Sequence, residues 1–107
     1  MSNAALAYRR HRTPRQAEAE VFVEANFRLE AGEQAGGIAL ARAVADNRRL
    51  WNAVLGAVTA PDNALPAALR ASLASLAHAV LRDCDAARPD IEFLRETNQA
   101  MAAGLFG

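Results

Sequence analysis

The sequence predicts an all-α protein, a small up-and-down bundle of about four helices in a single domain. Three observations carry that expectation. Just over half of the 107 residues are apolar, with alanine and leucine dominant and few β-branched or aromatic side chains, a composition that favours helices. Apolar residues recur at steps of three and four, most cleanly along Leu40, Val44, Trp51, Val54 and Val58. Short links rich in Gly, Pro and Asn separate the periodic segments, as antiparallel neighbours require. The length suffices for one core and is too short for two.

Residues 1–12 read as a flexible basic N-terminal arm, alanine-rich and then basic at Tyr8-Arg9-Arg10-His11-Arg12; residues 13–107 form the helical domain. The first helix starts at Thr13-Pro14-Arg15-Gln16, where Thr13 caps, Pro14 suits the first helical position and Gln16 completes a capping box. It is expected to run to about Glu30, stopped by Ala31-Gly32 and Gly36-Gly37. Its apolar residues, Ala19, Val21, Phe22, Val23, Ala25, Phe27 and Leu29, spread around most of the circumference. Either neighbouring helices flank it on both sides, or part of the surface, Val23 and Phe27 above all, awaits a partner.

The second helix spans Ile38–Thr59, ahead of Pro61-Asp62-Asn63, with Arg42, Asp46 and Arg49 on its solvated face. The third follows Asn63 as a cap, with Pro66 in its first turn. Its stripe is Leu69, Leu73, Leu76, Val80 and Cys84, and it fades around Ala86-Ala87. The fourth opens at Pro89-Asp90 and carries Ile91, Leu94, Met101 and Leu105 on one line, ending at Gly104 to Gly107.

Two asparagines interrupt these stripes. Asn47 lies between Val44 and Trp51, and Asn98 between Leu94 and Met101. An amide on a core line must find a partner or destabilise the fold. Asn47 and Asn98 either bond to each other or to backbone and fix helix register, as single buried asparagines do in coiled coils, or face water or a ligand where the bundle is open.

No catalytic constellation assembles. His11 and His78 are far apart in sequence, and Cys84 sits on an apolar stripe, where a small buried hydrophobe is the simplest role. No metal-ligand spacing and no phosphate-binding glycine loop occurs, so the expectation is a non-enzyme with no metal, cofactor or small-molecule substrate. The lone cysteine and the lack of a signal peptide or a bilayer-length apolar run imply a cytoplasmic protein without membrane insertion. Formal charge is zero, with all twelve basic residues arginine. For nucleic acid only the arm at Tyr8–Arg12 offers a basic patch beside an aromatic ring.

Several strings stand in a telling order: Ala7-Tyr8; Pro14-Arg15-Gln16-Ala17-Glu18 leading to Phe22; Asn47-Arg48-Arg49-Leu50-Trp51; Asn63-Ala64-Leu65-Pro66 with Leu69-Arg70; then Ile91, Leu94, Asn98, Met101, Gly104 and Leu105. In these the chain resembles FlaF, the flagellar biosynthesis regulator family of alphaproteobacteria. It differs around Asn98, where Arg95-Glu96-Thr97 and Ala100 replace more apolar residues. The resemblance implies a role in flagellin synthesis or secretion, alongside FlbT, a regulator of flagellin message translation. It also implies likeness to flagellin export chaperones. Flagellin is then the expected direct partner, with FlbT and flagellin mRNA as alternatives. A helical bundle with surplus apolar surface suits an amphipathic helix laid in a groove. The candidate surface combines Val23 and Phe27, Arg48, Arg49 and Trp51, and Asn98, Met101 and Leu105. For Trp51, Met101 and Leu105 plain core packing is the competing role; for the two arginines it is surface ion pairing.

Overall fold

The structure is a computed structural model describing residues 2–11 and 13–106, with side chains for all of these except residues 8–11, 105 and 106. Among the described residues the secondary structure is helical, without strands: α1 Asn3–His11, α2 Pro14–Ala35, α3 Gly37–Thr59, α4 Ala67–Cys84 and α5 Ile91–Phe106. The all-α bundle expected from composition and periodicity is therefore present. The arm expected over residues 1–12 contains a helix, α1, that the periodicity did not announce. Ser2 caps it, its hydroxyl accepting from the Ala5 amide at 3.1 Å.

α2 begins as its sequence indicates. The Thr13 hydroxyl accepts from the Gln16 amide at 3.1 Å, and the Gln16 side chain accepts from the Thr13 amide at 2.8 Å. The expected stop near Glu30 is wrong, because α2 continues through Gly32 to Ala35. Gly32 is a packing glycine: a Cβ there would lie 3.0 Å from the Leu40 Cα and 3.1 Å from the Ala39 carbonyl oxygen. Its missing side chain lets α3 approach closely, and that contact outweighs glycine's poor helix propensity. The chain reverses at Gly36, with φ 70° and ψ −172°, a conformation essentially reserved for glycine.

Asn63 does not cap α4. Its amide nitrogen donates to the Ala57 carbonyl at 2.8 Å and its oxygen accepts from the Leu65 amide at 2.9 Å, closing the turn instead. α4 also ends at Cys84, short of Ala86-Ala87. The link to α5 is pinned from both sides: the Asp83 carboxylate accepts from the Asp90 amide at 2.9 Å, and Asp90 accepts from the Phe93 amide at 3.1 Å.

Three antiparallel pairs build the molecule: α2 with α3, α3 with α4, and α2 with α5. The α2/α3 pair is in register through Gly32 against Ala43, the Arg28–Asp46 ion pair and an edge-to-face contact of Phe22 with Trp51, ring centroids 5.8 Å apart. α4 and α5 attach to opposite sides of this spine like the two covers of an open book. They do not pack as a pair with each other, and the Cα envelope is correspondingly broad and shallow, 41 × 40 × 19 Å. The core lies along the spine: Leu29, Trp51, Val80 and Leu94 are fully enclosed, with Phe22, Val44 and Ile91 beside them.

A buried amide network beside an apolar groove

Helical spacing puts Asn26 on the Phe22–Leu29 face of α2, Asn47 and Trp51 one turn apart on α3, and Asn98 one turn after Leu94 on α5. The four meet inside the bundle. The Trp51 Nε1–H donates to the Asn98 Oδ1 at 2.8 Å. An indole nitrogen only donates, so this bond turns the Asn98 amide nitrogen the other way. It donates to the Asn47 Oδ1 at 2.7 Å and to the Asn26 Oδ1 at 3.0 Å. Asn26 in turn donates to the Arg95 carbonyl at 2.9 Å, and Asn47 points its nitrogen at the Cys84 sulfur, 3.8 Å away. All four large helices are thereby joined by side-chain amides. The two stripe asparagines bond to each other rather than facing solvent, and both are fully enclosed.

Cys84 closes this network on the α4 side. Burial pushes its thiol above the ordinary range, against the opposing pull of the Asn47 hydrogen bond and the Arg48 charge. A neutral, enclosed thiol is a packing group and a weak acceptor here. Arg48 reaches over it: its guanidinium donates to the Cys84 carbonyl at 3.2 Å and pairs with Asp85 at 2.8 Å, placing a cation at the C-terminus of α4.

Where α4 and α5 diverge, away from the Asp83–Asp90 link, a groove of about 800 Å³ opens. Phe22, Leu50 and Val54 form its floor, Leu69 and Leu73 of α4 one wall, and Ala100, Met101 and Gly104 of α5 the other. Leu65 and Val21 stand at the edge, 40% and 49% exposed, and Leu69 of the wall is 45% exposed. The charges on the rim are Arg15 and Glu18. Arg15 is engaged, donating to the Gly104 carbonyl at 3.0 Å.

The structure does not gather the expected partner surface into one face. Met101 lines the groove. Trp51 and Asn98 are fully enclosed; Trp51 stands behind the groove floor through its edge-to-face contact with Phe22, and Asn98 holds the Trp51 indole. Val23 and Phe27 are exposed on α2, the latter by 67%, and do not line the groove. Arg48 and Arg49 pair with Asp85 and Asp46. The Leu105 side chain, like those of Tyr8, Arg9, Arg10, His11 and the whole of Arg12, lies outside the described residues. Leu69 and Leu73, expected in the core, are groove wall, as Val54 is groove floor. Sequence reasoning passed over Asn26, although its place between Phe22 and Leu29 repeats the pattern of Asn47 and Asn98. It also passed over Leu50, mid-helix beside Trp51, and Leu65, whose only signal was being apolar within a link, as groove residues.

Fold and site together define a small helical bundle with a preformed apolar groove, the geometry that accepts an amphipathic helix. None of its described helices is long and apolar enough to cross a membrane. The chain belongs to the family described as flagellar protein FlaF, matching it over residues 3–105, and so has a role in flagellar biosynthesis. No curated protein and no solved structure matches it.

Proposed function

We propose that the protein is a cytoplasmic flagellin-binding adaptor. It seats an apolar helical segment of flagellin in the α4/α5 groove, keeps that segment soluble before export, and so promotes flagellin synthesis and secretion. The observation that carries this reading is the groove itself, apolar on floor and walls and open to solvent in a bundle small enough that such surface would otherwise favour association. The electrostatics support a protein partner over RNA: Arg28, Arg48, Arg49 and Arg95 each face a carboxylate within the chain, and the net charge is zero. FlbT acts in this scheme as a downstream partner, and no catalytic step is involved.

Leu69→Asp tests the seat. Leu69 is half exposed, so the fold tolerates the change, while a bound helix loses a leucine-sized contact of about 2 kcal/mol, roughly 30-fold in affinity. Titration of purified flagellin by calorimetry reads the loss, with circular dichroism confirming the fold. Unchanged flagellin affinity would overturn the reading. Retention of flagellin message with a steep salt dependence would replace it with RNA binding, and capture of FlbT alone would make flagellin an indirect partner.

A further inference from the structure

We infer that α1, none of whose described side chains lines the groove in this structure, is a strap that folds back between α4 and α5 in a closed state and must leave before flagellin enters. The inference rests on the groove being the flagellin seat, and four observations lead to it. First, α1 has nine residues and belongs to none of the three extensively packed helix pairs. Helices shorter than about 12–15 residues are marginal in water and draw their stability from a packed face. Second, α1 has an apolar run to offer: Ala4, Leu6 and Ala7 are exposed, Leu6 by 43%. Third, the tether is short. Only residues 12 and 13 separate α1 from α2, and Arg15, in the first turn of α2, is already on the groove rim.

Fourth, the lengths agree. The α3 floor from Leu50 to Val58 covers about 12 Å at the helical rise, and α1 is about 13 Å long. Running back antiparallel to α2, α1 brings Leu6 about 10 Å from Thr13, close to the depth at which Val21 stands at the edge and Phe22 on the floor. Leu6 is then the plug. A neutral rim of one arginine and one glutamate presents no charge barrier to it. The strap explains why a protein with an open apolar groove carries a short capped helix, outside the three extensively packed pairs, two residues ahead of α2.

The test separates strap from client. A nitroxide is attached at Asn3→Cys, the buried Cys84 staying unlabelled, and methyl signals of Leu50, Val54, Leu69 and Leu73 are recorded without flagellin. Selective broadening of those methyls, lost in Leu6→Glu, is the expected result. Flagellin titration of full-length Leu6→Glu is then expected to show about tenfold tighter binding for a strap closed nine-tenths of the time. No broadening in the singly labelled chain overturns the inference. So does broadening that appears only when labelled and isotope-enriched chains are mixed, which assigns the groove to a second copy. If the methyls broaden but no variant binds flagellin, the strap stands and the flagellin reading falls.

Discussion

Replacing Asn98 by leucine puts the amide network to its hardest test. The side chain is fully enclosed and serves three partners, so the substitution orphans the Trp51 Nε1–H and the Asn47 Oδ1 at positions where water does not reach. Asn26 is only half buried and recovers a water. Leaving a buried donor or acceptor unmade costs about 1–3 kcal/mol each. Two such groups, less the gain from burying a leucine in place of an amide, come to about 3 kcal/mol. In a domain of this size that is roughly 10–20 °C in Tm. Urea unfolding followed by circular dichroism and by fluorescence of the single tryptophan measures it. Gln99→Leu, exposed on the same helix, is the control and is expected within about 0.5 kcal/mol of wild type. A double-mutant cycle with Trp51→Phe isolates the hydrogen bond, and a coupling above about 1 kcal/mol is expected. Loss of less than 1 kcal/mol for Asn98→Leu, or additivity in the cycle, would refute the view that these amides hold the bundle together.

Two glycines in the helices are expected to respond with opposite sign. Gly32→Ala drives a methyl into the Leu40 backbone and is expected to destabilise by about 1–3 kcal/mol in spite of alanine's better propensity, whereas Gly56→Ala meets nothing within 4 Å and stabilises by about 0.5–1 kcal/mol; thermal melts of both variants check the contrast. Cys84 supplies a pH prediction. Its folded thiol holds its proton more tightly than the unfolded one, so its contribution is intact below the unfolded value and lost as pH rises above about 8.5. Urea midpoints across the alkaline range should fall, less so in Cys84→Ala, and iodoacetamide should modify the native thiol only at the rate of unfolding.

Periodicity located the four large helices because each buries one stripe, and the Thr13/Gln16 box was readable because capping is local chemistry. The need to satisfy Asn47 and Asn98 was legible for a different reason, since two amides on core stripes must find partners; that they find each other, rather than backbone or solvent, came only from the packed structure. What escaped was tertiary. Nothing local distinguishes a helix-stopping Gly32 from one that admits a neighbouring backbone. Asn63 is as good a turn former as a cap, and the Ala57 carbonyl, not its own helix, decided between them. The groove was illegible because Leu69 and Leu73 carry the same spacing whether α5 covers them or leaves them open. Trp51 illustrates the limit: its importance could be read, but not that it acts from inside, one ring removed from the surface it supports.

The order of synthesis gives the network one further significance. Asn26, Asn47 and Trp51 all leave the ribosome before Asn98, and the hairpin they belong to closes through a single residue, so its formation requires almost no loop ordering. That hairpin waits with an indole donor and two amide oxygens facing an empty slot until the last sixteen-residue helix arrives. A nascent chain cut short before residue 98 therefore leaves that donor and those two oxygens to water, where the finished fold encloses them.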